Sequence, residues 1–446
     1  MKNVVREIPH DVCVGCGTCV GVCPMQHIEI GYDEIDRLKV IERDNACSDK
    51  CSVCTSVCPF SNNSNNEDLL GDELYSGVQG VRKHPACGYF LNSYVGFHPN
   101  QEKRLNSASG GLTSYVLAQL LDTQQVDAVI VVGRKEGNKP YYASLLARSS
   151  EEVYQCSRSA YYAVHIGETL REVIVDKSVT SVAVVALPCQ CKAIRNACKE
   201  NAILRRKVKI VIGLVCGQQK THNFADYLGK RNGLSDLTSI DFRTKQLGRP
   251  NCNFGVRLKS KEKEKEITFS DYAKDWSFKL FTVQACNYCD DIFAECADMV
   301  VMDAWLPEYA TSDKGENLII TRSAEMDSVI KDIPGIRKIG IERVLHSQAY
   351  VIQNKRSGIV VALSLLKSQR GIILRKRCEL YKSPSILERV LYSAKYKMSV
   401  KSDRMWNEAN KDVVIFNKKL RGYKIILTVG LILNKIHTII CKLKKK

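Results

Sequence analysis

Residues 13–24, CVGCGTCVGVCP, hold four cysteines and a proline in twelve positions, and residues 47–59, CSDKCSVCTSVCP, repeat the pattern. No helix or strand needs thiols at that density for packing, so both segments must fold around whatever the thiols hold. The chain has 20 cysteines, enough for a disulfide framework in a secreted protein. Its first residues, MKNVVREIPHDV, lack the apolar stretch and small-residue cleavage site of a secretory signal. A cytoplasmic chain with reduced thiols is therefore expected, and the cysteines read as metal ligands.

Cys13, Cys16, Cys19 and Cys23 follow C-x2-C-x2-C-x3-C-P, the spacing of bacterial ferredoxins. There, three thiolates grip one [4Fe–4S] cluster and the fourth, before the proline, crosses to a second. Cys47, Cys51, Cys54 and Cys58 repeat the run with one extra residue between the first two. One cluster is then expected on Cys13, Cys16, Cys19 and Cys58, the other on Cys47, Cys51, Cys54 and Cys23. Zinc wants separated C-x2-C knuckles and four ligands per ion, which these runs do not supply. Gly15, Gly17 and Gly21 would let the backbone wrap the cluster. Residues 1–75 thus read as a two-cluster, ferredoxin-type electron carrier.

A chain of 446 residues exceeds the usual size of one core, so further domains must use those electrons. Residues 61–77, SNNSNNEDLLGDELYSG, are polar and without apolar periodicity, and read as a linker. Residues 107–133 read as a small-residue turn, an amphipathic helix and a β-branched strand. SVAVVALPCQCKAIRNAC predicts a buried parallel strand to Leu187, a loop with Cys189 and a helix; VKIVIGLVCGQQ predicts a strand running into Cys216. ACNYCDDIFAECADMVVMDAW adds Cys286 and Cys289 in a C-x2-C knuckle, then a strand to Asp303. Thiols just past strand ends lie where α/β proteins build sites. Cys189, Cys216, Cys286 and Cys289 are the expected ligands of a third [4Fe–4S] cluster, with Cys191, Cys252 and Cys296 as alternates. Cys87, Cys156 and Cys378 read as small buried hydrophobes.

The chain resembles the coenzyme F420 hydrogenase/dehydrogenase beta-subunit family over about residues 85–325, through SGG at 109–111, VDAVIVVG, LPCQ at 187–190, GLVCG at 213–217, DFRTKQLG at 241–248 and CNYCDD…CADMVVMDAW. The resemblance implies an iron–sulfur flavoprotein: an FAD beside a [4Fe–4S] cluster, exchanging electrons between iron–sulfur carriers and a hydride-type partner. It also implies a possible place in cell-surface polysaccharide biosynthesis, where relatives without an evident deazaflavin partner occur. The sequence departs from the family pattern at Ala186 and Leu187, where Gly-Thr is usual, at Met302, where Gly is usual, and at Tyr161, where the family's Ser-Lys-Tyr element has lysine. These positions fall near the expected flavin and deazaflavin surfaces.

Physical chemistry also asks for a flavin, because clusters move single electrons and organic acceptors usually take two. Ser109, Gly110 and Gly111, ahead of a helix, offer backbone N–H groups to a phosphate or the flavin edge. Arg134 and Lys135 follow a strand and could meet a pyrophosphate. Asp303, His222 and Asp298 are candidate general acids, although structural roles suit all three. KSKEKEKEI, 259–267, reads as a solvated hairpin. The expected whole is an α+β and α/β multidomain oxidoreductase: a ferredoxin-like module, a flavin and iron–sulfur domain over 85–325, and a basic helical extension over 326–446. Its partners would be ferredoxin or another redox protein and a small-molecule acceptor. An electron-transfer subunit docking on a catalytic partner, or a deazaflavin-dependent oxidoreductase, are the alternatives.

Residues 331–446 carry 27 Lys and Arg against 7 Asp and Glu, net +20 in a chain of net +18. They contain no nucleic-acid reader motif, so nucleic acid is not an expected partner. In GYKIILTVGLILNKIHTIICKLKKK, 422–446, helical spacing puts Lys424, Thr428, Lys435, Thr438, Lys442 and Lys446 on one stripe, with Ile425, Ile426, Ile432, Leu433, Ile436, Ile439 and Ile440 mostly opposite. The uncharged run is too short to span a bilayer. Two placements remain open: the apolar face lies in an anionic membrane surface, with Lys444 and Lys445 adding attraction, or it packs on the preceding domain.

Overall fold

A computed structural model of the chain describes residues 3–43, 47, 48, 50–135, 137, 139–377, 381 and 383–443, with side chains in the last helix described to 434 and at 436. Its strands are β1 (Ile28–Tyr32), β2 (Leu38–Glu42), β3 (Arg82–His84), β4 (Gly88–Phe90), β5 (Asn92–Gly96), β6 (Ala128–Arg134), β7 (Tyr142–Ala147), β8 (Val182–Ala186), β9 (Val208–Leu214), β10 (Leu237–Thr244), β11 (Gly255–Ser260), β12 (Glu264–Thr268), β13 (Met299–Asp303), β14 (Asn317–Thr321) and β15 (Arg337–Lys338). Eight form one sheet in the order β15-β5-β14-β13-β9-β8-β6-β7. Its centre, β13-β9-β8-β6, is parallel, and its flanks are antiparallel.

The period of two along these strands feeds two cores. Ile130, Val184, Val211, Val300, Leu318 and Ile320 point to one face. Val129, Val131, Ala183, Ile210, Ile212 and Val301 point to the other. Both faces are covered, which is why these segments read as continuous apolar runs. The expected helix and strand of residues 107–133 appear as Leu112–Asp122 and β6. The charged run 259–267 lies on the β11–β12 hairpin, with exposed residues at its tip.

The N-terminal module is the β1–β2 hairpin with two short helices, Thr18–Val22 and Val53–Val57. It shares a core with the α/β domain: Val12, Val22, Val57 and Phe60 belong to the same apolar cluster as Ile166, Leu170, Ala193 and Ile194. Gly15 and Gly17 take left-handed φ of +71° and +75°, which lets the backbone turn tightly between the cysteines. Gly21 serves docking instead, since a Cβ there would stand 2.7 Å from the carbonyl oxygen of Gly167. Nearby, Ile166 N donates to Cys16 O at 2.9 Å, and Arg171 Nη2 donates to Val20 O and Cys23 O, both at 2.8 Å.

The linker expected over 61–77 is corrected. Glu67–Tyr75 is a helix, capped by Asn66 accepting from Leu69 N, with Leu70 and Tyr75 buried. Glu67 and Lys192 form a buried ion pair at 3.3 Å, and Tyr75 OH donates to Asp298. The polar composition hides a helix whose few apolar side chains and one carboxylate face inward.

The C-terminal part consists of helices Ile341–Ser347, Ala349–Arg370, Ile386–Glu408 and Val413–Leu443. The last two build around Trp406, which is wholly buried against Tyr227, Phe281 and Phe416, while Val344, Leu345, Ala362 and Leu366 of the first two join the core shared with the N-terminal module. Among the described residues no helix is long and apolar enough to cross a membrane. Cys378 lies outside the described residues, as do the side chains of Lys435, Thr438, Ile439, Ile440, Lys442, Lys444, Lys445 and Lys446.

Candidate functional site

The N-terminal thiols of the two runs lie among one another. Cys23 and Cys58 each end a short helix in extended conformation, with ψ 113° and 123°, immediately before Pro24 and Pro59. A residue before proline is driven out of the helical region, so each fourth cysteine turns away from its own run. Cys58 accordingly lies beside Cys16 and Cys13, and Cys54 beside Cys23, Cys47 and Cys51. Cys13, Cys16, Cys19 and Cys58 line one cavity with Val4, Ile8 and Phe60. Burial, then neighbouring thiols, push Cys19 well up; burial raises Cys58 to about 12 and Cys54 to about 11. Clustered, buried thiolates need a cationic centre to be stable, and an iron–sulfur core supplies one. Backbone N–H groups help: Val4 N donates to Cys54 Sγ at 3.3 Å. Among the described residues no three His, Cys, Asp or Glu side chains converge tightly enough for a lone metal ion.

Cys189, Cys216, Cys286 and Cys289 also come together. Cys189 is not in a loop, as expected, but in the first turn of the helix Pro188–Glu200, because Pro188 is preset for a helix start. Cys216 follows β9 by two residues; Cys286 lies within the 3-10 turn Gln284–Tyr288 and Cys289 caps its end. Cys189 is raised by burial and then by Cys289, Cys16, Cys216 and Cys286, so Cys16 of the N-terminal module lies in its neighbourhood. Gln219 N donates to Cys286 Sγ at 3.3 Å, and Lys355 Nζ to Cys289 Sγ at 3.3 Å. Of the alternates, Cys252 is exposed, while Cys191 and Cys296 are buried and neighbour each other. Cys87 is buried and Cys156 half-buried against apolar cores.

Below this set lies a charge network that the sequence did not announce. Lys376 and Arg377 reach Asp290 at 3.5 and 3.4 Å, and Arg377 forks onto Glu295 at 2.8 and 3.0 Å. With Glu67–Lys192 it joins all three parts of the chain. Ion pairs this deep are held by geometry and mutual satisfaction, since an unpartnered charge there would be costly.

At the carboxyl edge of β13 stands Arg243, in the DFRTKQLG motif. It is the bulged residue of β10, with φ +60°, and the bulge turns its guanidinium inward. There it forks onto Asp303 at 2.9 and 3.1 Å, donates to Ala108 O at 3.0 Å, and lies over Phe254 and Trp305. Tyr161, at the position where the resemblance expects lysine, packs edge-on to Trp276 at 4.8 Å with Cys216 nearby. Thr244 Oγ1, Asn251 Oδ1, Tyr272 OH and Arg158 Nη1 are buried without a protein partner. This zone therefore combines aromatic faces, a fixed guanidinium and buried polar atoms without a protein partner.

The turn Ser109–Gly111 is used mainly by the chain itself. Ser109 Oγ donates to Glu316 O, Leu112 N donates to Asn317 Oδ1 at 3.1 Å, and a Cβ on Gly110 would stand 2.7 Å from Asn317 N. Arg134 pairs with Asp241 at 2.6 Å beside Arg158. Of the candidate acids, Asp303 is held by Arg243. Asp298 is held by Arg195 and Val211 N, both at 2.7 Å. His222 stacks on Tyr162 at 3.9 Å and donates from Nε2 to Ala163 O. All three have structural partners. Arg243 and Lys355 are the residues that sequence reading left without a role; the motif around Arg243 was the available signal.

Two family models match the chain, both for the coenzyme F420 hydrogenase/dehydrogenase beta subunit: that of its N-terminal part over residues 93–171 and that of its C-terminal part over residues 179–343. The F subunit of the F(420)H(2) dehydrogenase of Methanosarcina mazei is 24% identical over 354 residues, 76% of this chain and 90% of that protein. A ferredoxin of Methanothermococcus thermolithotrophicus is 39% identical over 54 residues, 12% of this chain and 82% of that protein. In fold, the chain is similar to one chain of the F420-reducing [NiFe] hydrogenase complex of Methanosarcina barkeri, with TM-score 0.50 and 16% identity, covering 66% of this chain and 99% of that one.

Proposed function

The chain belongs to the coenzyme F420 hydrogenase/dehydrogenase beta-subunit family, and we propose that it is an iron–sulfur flavoprotein oxidoreductase. It would pass electrons between a ferredoxin and an organic acceptor. Cys13, Cys16, Cys19 and Cys58 would hold one [4Fe–4S] cluster, Cys47, Cys51, Cys54 and Cys23 a second, and Cys189, Cys216, Cys286 and Cys289 a third. FAD would lie at the Arg243–Tyr161 zone and, when bound, would couple one-electron carriers to two-electron chemistry.

The observation that carries this reading is the neighbourhood of Cys16 and Cys189, which joins the N-terminal module to the thiol set of the α/β domain. The chain's own residues then have definite tasks. Arg243 and Asp303 fix each other, and Phe254, Trp276 and Trp305 supply aromatic faces around Arg243 and Tyr161. An acceptor in cell-surface polysaccharide biosynthesis rests on the family resemblance alone.

A second reading follows from the relatives' names: a component of a larger complex that exchanges electrons with the deazaflavin F420. Tyr161 in place of the family's lysine weighs against it. Anaerobic reconstitution separates the readings. The protein is expected to bind about twelve irons and one FAD and to oxidise reduced ferredoxin when an acceptor is present. Absence of flavin overturns the first reading, whereas reduction by the reduced deazaflavin supports the second.

A further inference from the structure

The helix Val413–Leu443 is apolar on two faces. Phe416, Leu420 and Leu427 are wholly buried in the cluster around Trp406, and Leu391 closes on Gly430. That inner face anchors the helix. Val414, Ile415, Ile425, Ile426, Val429, Ile432, Leu433 and Ile436 are instead exposed, from 43% at Leu433 to 78% at Val414. At 3.6 residues per turn these eight fall within one arc of roughly 120°, opposite the buried three. The polar stripe read from the sequence faces partly inward, where Lys424 meets Asp275 at 3.4 Å beside a polar cavity lined by Arg231 and Lys274.

From Val413 to Leu443 the sequence has no Asp or Glu but carries Lys418, Lys419, Arg421, Lys424, Lys435 and Lys442, and Lys444–Lys446 follow. Lys418 lies within the exposed arc, with Lys419 and Arg421 at its edges, all three exposed. The neighbouring helix Ile386–Glu408 adds exposed Ile386, Val390, Lys397, Lys401 and Arg404. An apolar stripe of this size has no use in water. Combined with a wholly cationic helix, it complements a surface that is apolar beneath and anionic above.

We propose that this arc lies in the headgroup layer of an anionic membrane. The eight apolar side chains enter the acyl boundary, and Lys418 and Arg421 reach back to lipid phosphates along their aliphatic stems, while Lys419 pairs with Glu408 at 2.9 Å. The inner face stays on the Trp406 cluster, so the redox domains are carried at the membrane surface without crossing it. This inference is independent of the assignment of clusters and flavin.

The test is flotation of the full-length protein with phosphatidylserine-rich and pure phosphatidylcholine vesicles. Binding is expected to the anionic vesicles. The triple variant Ile425→Asn, Ile432→Asn, Ile436→Asn should lose roughly tenfold or more in partition while keeping its melting temperature, because none of these side chains supports the fold. As a direct readout, Ile432→Trp should shift its fluorescence to the blue on adding vesicles and be quenched by brominated lipid. Equal binding of the triple variant, or an unquenched tryptophan, overturns the proposal. So does a concentration-dependent dimer that the triple variant abolishes, which would make a second copy the occupant.

Discussion

Lys355 places its ammonium 3.3 Å from the sulfur of Cys289 and 2.7 Å from the carbonyl oxygen of Asp291. It comes from the helix Ala349–Arg370, beyond the part of the chain that matches the family models. Nearby thiolates outweigh burial and hold this lysine firmly protonated. If Cys289 holds the proposed third cluster, a fixed cation at that sulfur favours the cluster's reduced state. Lys355→Met should therefore lower the midpoint potential of the third cluster by on the order of 100 mV in an EPR-monitored titration, and Lys355→Arg should restore most of it. Unchanged potentials would make Lys355 a packing residue.

The crossed pairing proposed for the thiols separates the two proposed clusters in a testable way. Cys23 lies beside Cys54 and Cys47 of the second run. Cys23→Ala is expected to disturb the cluster of Cys47, Cys51 and Cys54 and to spare that of Cys13, Cys16 and Cys19. Cys289→Ala should remove about four irons and leave both N-terminal signals in place. Iron analysis with EPR of each variant decides the assignments.

Gly110 has no room for a side chain, because Asn317 and Glu316 of the β14 side fill the space. Gly110→Ala must push β14 away from the turn that starts the helix Leu112–Asp122. A loss of about 1–3 kcal/mol in urea unfolding is expected. An unchanged midpoint would show that the turn stands free of β14.

Burial holds His222 neutral, with its pKa depressed to about 4 from an ordinary 6.5, and Lys139 and His165 add to the effect against the Ala163 carbonyl and Asp36. Between those values the unfolded chain binds a proton that the folded chain refuses. The contribution is complete above about pH 6.5 and is lost as pH falls toward about 4, at about 1 kcal/mol per pH unit below pH 6. Anaerobic urea unfolding of His222→Gln against the parent protein should show a shallower acid slope; equal slopes would place the titration elsewhere.

Features with a local cause are legible in the order of the amino acids. Thiol spacing and the two prolines fix where Cys23 and Cys58 leave their helices, since a residue before proline leaves the helix whatever surrounds it. Continuous β-branched runs announce β6, β8 and β9, because a strand buried on both faces admits few polar residues. The cap at Asn66 with Glu67 and Asp68 in the next turn is also legible, although the polar composition around it points to a linker.

Other features arise from long-range packing. Lys355 meets Cys289 across 66 positions and Arg243 meets Asp303 across 60, and no periodicity links residues so far apart. The last helix shows the limit most clearly. Both of its faces are apolar, so spacing along the chain cannot choose between them. Trp406 and Leu391 choose: they seat Phe416, Leu420 and Leu427 and leave Ile425, Ile432 and Ile436 in the open. Which apolar face is buried depends on the shape offered by another part of the chain, and that shape exists only once the chain has folded.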